Sequence, residues 1–333
     1  MIVDCAHYRD GARQDTAPMS IPDAADCARR EDGGFVWLGI HDPTVGELRA
    51  IRDNFPVHEL AIEDASAEHQ RAKMEDYDNH FFVVLRTARY DDRSERVEFG
   101  EIHIFAGSGY AISVRHGKAS ELSTARQRLE ARPELLHSGP VSVVWAVLDK
   151  VVDDYEPVVD GLGEDIVDVE VRVFEGRDDQ TERIYLLKRE VIEFFRAVHP
   201  LLAPLAAIER GADPRVTDTM ERYFRDVNDH VKLVHEEVAS QRELLTSILE
   251  ANLAVLGVRQ NQISVTQNET TKQLTLIATI FLPLSFITGF FGQNFAWLVG
   301  HISSLWTFLV YGIGALAVSC VLLYAWFRRS RYF

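Results

Sequence analysis

Between Lys272 and Arg328 the chain contains no Asp, Glu, Lys or Arg. His301 is the only titratable side chain there apart from Cys320, Tyr311 and Tyr324. So long a stretch without charge does not belong to the surface of a water-soluble domain. Proline is missing from 215 to 282, so nothing of that kind forces a break in that segment. The chain has only three cysteines, Cys5, Cys27 and Cys320, and their spacing fits neither a disulfide framework nor a metal site. The opening MIVDCAHYRDGARQD lacks an apolar core and predicts no signal peptide. No nucleotide-binding loop and no HExxH motif occurs, and HEEVAS at His235 lacks the second histidine. No Ser/His or Cys/His set suits nucleophilic catalysis. These absences argue against an enzyme.

The 333 residues carry a net charge of −16, and mean hydropathy is near zero. That average hides an asymmetry. Arg328, Arg329 and Arg331 follow the uncharged tail, so the part before it is more acidic than the whole. Such a surface repels nucleic acid and attracts cations. Leu274–Phe291 (LTLIATIFLPLSFITGFF) and Leu305–Phe327 (LWTFLVYGIGALAVSCVLLYAWF) are each long enough to cross a bilayer. Lys272 precedes the first and the three arginines follow the second. The positive-inside rule then puts both termini in the cytoplasm and predicts a multi-pass protein of the cell membrane. The linker GQNFAWLVGHISS faces outside, with Trp297 and Trp306 at the outer interface and Trp326 at the inner one.

The remainder reads as an α+β domain followed by a long helix. Residues 1–34 are expected to be a flexible polar tail. An α/β domain is expected over 35–135: FVWLGI as a strand, TVGELRAIRDNF as a helix, then HFFVVLRTARY and EIHIFAGSGYAISVRHG as strands, the latter turning at Gly107-Ser108-Gly109. A helical hairpin region covers 136–215, with single helices expected over 141–174 and 178–209. Residues 216–291 form a stalk helix that continues into the first span. An outer loop (292–304), the second span (305–327) and a basic cytoplasmic tail (328–333) complete the chain.

Steps of alternately three and four residues along the stalk meet Glu250, Ala254, Gly257, Asn261, Ser264, Asn268, Thr271, Thr275, Ala278, Leu282, Ser285, Gly289 and Gly292. Nearly all are polar or small, whereas their neighbours in the span are mostly Ile, Leu and Phe. A repeat averaging 3.5 is the seam of parallel supercoiled helices. It serves either as a packing face or as the lining of a pore. A pore requires a ring of subunits, because two helices enclose nothing. Leu282 interrupts the polar seam and suits a dewetting gate or a closed bundle; Pro283 beside it frees a carbonyl. The oxygen-rich lining tilts the cargo towards a hard, hydrated cation such as Mg²⁺.

The segment ATIFLPLSFITGFFGQNF resembles the first membrane helix and Gly-Met-Asn signature of the CorA magnesium channels and transporters. VTQNETTKQLT is similar to that family's pore entrance, LAIEDASAEHQRAKMEDYDNHFFVVL to its cytoplasmic domain and YFRDVNDH to its stalk. The resemblance implies a funnel-shaped homopentamer with five first helices around the pore. It also implies Mg²⁺ influx driven by membrane potential, with Co²⁺ and Ni²⁺ as further permeants. By the same resemblance Gly292, Gln293 and Asn294 form the outer mouth, and Asn268, Thr271, Leu274 or Thr275, Ala278, Leu282 and Ser285 line the pore. Glu250 matches the acid at its cytoplasmic end. Regulatory Mg²⁺ between subunits would meet Glu63, Asp64, Asp149 and Asp226. Gln293 replaces the usual methionine, and the linker lacks the acid that many members carry. A Zn²⁺ or Co²⁺/Ni²⁺ transporter of the same superfamily, coupled to protons, is therefore the alternative, with His301 as a helper. A membrane-anchored scaffold without ion flux is the reading from a different class.

Overall fold

The runs FVWLGI and FFVVL, Phe35–Ile40 and Phe81–Leu85, are apolar at nearly every position, so a strand built from either must be covered on both faces. The computed structural model describes residues 1–14, 18–30, 33–67, 70–77, 80–176, 178–211, 215–293, 296–301 and 304–329. They belong to two compact units, Met1–Leu253 and Ala254–Phe333.

In the first unit seven strands form one sheet: β1 (Ile2–Arg9), β2 (Ala12–Arg13), β3 (Phe35–His41), β4 (Lys73–Tyr77), β5 (His80–Asp91), β6 (Arg96–Gly107) and β7 (Tyr110–His116). Their order is β2-β1-β3-β7-β6-β5-β4. The β3–β7 pair is parallel, and the other pairs are antiparallel. Side chains alternate between two cores. Val36, Leu38, Ile40, Phe82, Val84 and Phe105 meet α1 (Ile21–Ala28), α2 (Val45–Asn54) and α3 (Glu59–Ser66). Trp37, Phe81, Val83, Leu85, Ile102 and Ile104 point the other way. They pack with helices from the series α4 (Leu122–Glu130), α5 (Pro133–Leu136), α6 (Pro140–Asp153), α7 (Glu156–Glu175), α8 (Thr181–Val198), α9 (Leu202–Glu209) and α10 (Asp218–Phe291). The β6–β7 hairpin turns at Gly109, whose φ is +79° and whose missing Cβ makes room for the Ala28 carbonyl.

Three expectations need correction. The described part of residues 1–34 is not a loose tail: β1 pairs with β3, Ala6 and Tyr8 are buried, and Tyr8 stacks on Phe35 at 5.2 Å. Ser20 opens α1 with a reciprocal cap from Asp23. This strand is held by backbone pairing and a few buried side chains, a weak signal in composition. Nor do 141–174 form one helix. Pro157 cannot donate to Asp153 and crowds its carbonyl, so α6 stops at Asp153 and α7 begins at Glu156. Likewise Pro200 turns 178–209 into α8, a 3₁₀ turn (His199–Leu201) and α9. Thr181–Glu209 is long and apolar enough to cross a membrane. Its Ile184, Leu187, Val191, Phe194 and Val198 instead fill the first unit's core.

The second unit holds the C-terminal part of α10, then α11 (Ala296–His301), α12 (Leu305–Thr307), a π-helical turn (Phe308–Ile313) and α13 (Gly314–Arg329). The linker expected to be a loop thus carries a short helix. Among the described residues of this unit only Phe327 is buried. Leu274, Ile277, Phe281, Leu282, Phe286, Trp306 and Leu322 are exposed, far more apolar surface than a monomer in water tolerates. Both apolar helical stretches are long enough to span a bilayer. The architecture is the α+β domain, long helix and two membrane-length helices expected from the sequence.

Candidate ion pathway and acidic sites

Helix α10 begins as a core element. Met220, Phe224, Val227, Val231, Val238, Gln241, Leu245, Ile248 and Asn252 are buried along one stripe at steps of three, four and, from Val231 to Val238, seven. Amides hold it there: Gln241 Nε2 donates to the Val159 carbonyl at 2.8 Å, and Asn252 Nδ2 to Thr181 Oγ1 at 2.8 Å. On a helix, positions two residues from such a stripe point to the opposite side. Glu243, Ser247 and Glu250 occupy that side and are exposed. The predicted seam therefore starts, at Glu250, on the face of α10 turned away from its own core.

Beyond Leu253 the same helix carries Asn268, Thr271, Thr275, Ala278, Leu282 and Ser285 at the same steps, all exposed, and the neighbouring Leu274 is exposed too. Pro283 lies within the helix without ending it. Threonine hydroxyls along this stretch turn back onto their own helix. Thr275 Oγ1 donates to the Thr271 carbonyl at 2.8 Å, and Thr279 Oγ1 to the Thr275 carbonyl at 2.7 Å. With the proton committed inward, each oxygen presents lone pairs outward. Oxygen acceptors of this kind suit a cation or the outward-pointing hydrogens of its water shell.

Helix α10 ends at Phe291. The Gly292 N–H still donates to the Thr288 carbonyl at 3.0 Å, and the Gln293 N–H to the Phe290 carbonyl at 3.3 Å. The backbone at Gly292 is not left-handed, and a Cβ there would sit 3.1 Å from the Thr288 carbonyl oxygen, a tight contact. Asn294 lies outside the described residues. His301, in α11, stacks on Trp297 at 4.4 Å and engages the Trp297 carbonyl through Nδ1 at 2.9 Å.

The four predicted regulatory acids separate into two places. Glu63 and Asp64 end α3, Glu63 exposed and Asp64 paired with Lys73 Nζ at 2.7 Å. Lys73 also holds Glu75 at 2.8 Å. Asp149 on α6 is half-buried and faces Asp226 of α10 closely enough to feel its charge. Burial first, then Asp153 and Asp226, pushes the Asp149 carboxyl above its ordinary value. The positive charge of Arg128, itself paired with Asp153 at 2.7 Å, offsets part of this. The sequence reading missed Asp153 and Lys73. Asp153 stands four residues after Asp149 on one helix face, a spacing that was visible; Lys73 reaches Asp64 only through the fold. Among the described residues no group of three or more His, Cys, Asp or Glu side chains is arranged to hold a metal within one chain.

The sequence model of the CorA-like Mg²⁺ transporter protein family matches residues 32–329. The cobalt/magnesium transport protein CorA of Thermotoga maritima is 26% identical over 308 residues, covering 91% of this chain and 85% of that protein. The zinc transport protein ZntB of Yersinia enterocolitica is 22% identical over 288 residues, covering 85% of this chain and 83% of that protein. In fold, the CorA magnesium transporter from Methanocaldococcus jannaschii superposes with a TM-score of 0.64 at 18% identity, over 100% of both chains. A match across nearly the whole length, on an α+β domain with two membrane-length helices, places the chain in the CorA-like family of divalent cation transporters.

Proposed function

We propose that the chain is one subunit of a gated Mg²⁺ channel in the cytoplasmic membrane, with its acidic domain and both termini inside. Five copies would surround a pore lined by α10, and membrane potential would drive Mg²⁺ inward. The observation that carries this reading is the seam on α10: one exposed line of amides, hydroxyls and small residues, running into a segment otherwise built of Ile, Leu and Phe. Lipid disfavours such groups unless they face water or partners. The hydroxyl oxygens, their protons already used, suit a hydrated Mg²⁺ that sheds its waters reluctantly. Asn294 and Gln293 would meet that shell at the outer mouth, and a ring of Leu282 would close by dewetting.

Closure by internal Mg²⁺ is supported by the acids. Asp149 and Asp226 face each other uncomfortably, and oxygen donors fit a hard cation. A bound ion would supply the missing positive charge, with further ligands from Glu63 or Asp64 of a neighbouring copy. Asp64 would first have to share or release Lys73.

A second reading, Zn²⁺ transport coupled to protons, rests on His301. Its Nδ1 is engaged by a carbonyl, which leaves Nε2 as the free lone pair that ligates metals. Cation flux into liposomes carrying the purified chain separates the two. Mg²⁺ entry that follows voltage and ignores a pH gradient, lost on Asn294→Ala with assembly intact, is the expected result. Zn²⁺ entry that needs the pH gradient, with Mg²⁺ inert, would replace the first reading by the second. No flux of either ion would leave only a scaffold.

A further inference from the structure

His199 and His235 are 36 residues apart in sequence and meet in space. His199 opens the 3₁₀ turn that follows α8, and His235 lies on α10. Their ring nitrogens, Nδ1 of His199 and Nε2 of His235, stand 3.1 Å apart. Neither belongs to the seam or to the acidic places described above, and both lie in the first unit. We propose that this pair is a binding site for a borderline-soft divalent cation of the Zn²⁺, Ni²⁺ or Co²⁺ class, distinct from any site for Mg²⁺.

The geometry carries the argument. Two imidazole nitrogens bound to one such ion at about 2.0–2.1 Å stand about 3.3 Å apart in a tetrahedral site and about 2.9 Å apart in an octahedral one. The observed 3.1 Å lies between these values; the contact now shares one proton, and once that proton moves to the outer nitrogen of its ring both inner lone pairs can serve one ion. The surroundings keep the rings in place. Phe195 stacks on His199 at 5.2 Å with planes 11° apart and lies 5.0 Å from His235. Charge around the pair is mixed: Glu236 favours a cation, His199 and Arg242 disfavour protonation of His235, and Arg196 is held by Glu193 at 2.6 Å. Burial, then His199, hold the His235 imidazole below its ordinary value. Mg²⁺ prefers oxygen donors and gains little from imidazole. Water would complete the coordination sphere. An ion held here would tie the end of α8 to α10. The first unit would then answer to soft cations separately from hard ones, whichever ion the protein carries.

The test is calorimetric titration of Zn²⁺ into the full-length chain in detergent, with Mg²⁺ in saturating excess to fill oxygen sites. Expected is one equivalent of Zn²⁺ per chain that Mg²⁺ does not displace and that His199→Asn or His235→Asn each abolishes. Unchanged Zn²⁺ uptake in both variants, or displacement by Mg²⁺, overturns the proposal. A measurement on the unaltered protein guards against variants that misfold. Zn²⁺ at a hundredfold excess over Kd should raise the folded-to-unfolded ratio of the first unit about a hundredfold and shield His235 from diethyl pyrocarbonate. Modification of His235 at the same rate with and without Zn²⁺ also overturns it, and leaves the pair as a shared-proton contact.

Discussion

At the scale of single residues, the titrating groups of the first unit set its dependence on pH and on cations. Both ring nitrogens of His103 and of His80 lack a hydrogen-bond partner among the described residues. Burial pushes His103 down to about 3 and His80 down to about 4. Below the ordinary histidine value the unfolded chain therefore takes up protons that the folded chain refuses. Stability is full above pH about 6.5 and falls as pH drops from there towards these lower values, by up to about 1.4 kcal/mol per pH unit for each buried ring. The urea midpoint should accordingly fall between pH 7 and pH 5, and His103→Leu should flatten that fall; an unchanged slope would assign the loss to other groups. Asp149 has the opposite sign. Its carboxyl is raised, so at neutral pH its charge opposes folding beside Asp153 and Asp226. Asp149→Asn should melt at or above the unaltered protein in EDTA, by about 1 kcal/mol for one relieved like-charge contact, roughly 2–4 °C in a unit of this size. The same change should shrink the rise in melting temperature that Mg²⁺ gives. A full Mg²⁺ response in the variant would remove Asp149 from the regulatory site.

At the scale of elements, close approach and interruption decide the packing. Helix α7 crosses the sheet at Gly161, where any Cβ would run into the ring of Tyr90 on β5. Tyr90 also donates its hydroxyl to Asp165, one turn further along α7. Gly161→Ala must displace that ring and should cost about 1–3 kcal/mol in urea unfolding, the usual range for overpacking. A neutral outcome would mean that the ring moves aside freely. Strands β3, β5, β6 and β7, the helix after Thr44 and the hairpin at Gly107-Ser108-Gly109 were legible in the sequence, whereas β4, the polar run KMEDY, was not. Apolar runs, a Thr/Glu cap pair and turn glycines are local signals. The break at Pro157 was equally local and was overlooked. By contrast β1 was illegible: IVDCAHYR offers little apolar alternation, and the strand is secured by its pairing with β3.

At the scale of the whole molecule, the seam on α10 makes a geometric demand on assembly. Residues 264 and 266 lie about 200° apart around one helix. In a background without native cysteines, Ser264→Cys should form cross-links between copies under a short bis-maleimide, up to the full ring. Thr266→Cys, on the far side of the helix, should not. Equal cross-linking at both positions would contradict a ring closed on this seam. The pairing of Asp149 with Asp226, the occupation of Asp64 by Lys73 and the meeting of His199 with His235 all join residues far apart in the chain. No periodicity announces such contacts, because they depend on how α3, α6, α8 and α10 lie against the sheet and each other. The sequence by itself determined the two membrane-length helices, the long helix with its polar seam and the family, since each rests on local composition, period or a contiguous motif. The tertiary structure alone decided that the seam begins on the face opposite the buried stripe, which acids are already neutralised, and where two histidines converge. Those are properties of packing, in which the free energy of burial selects partners that are not neighbours in the chain.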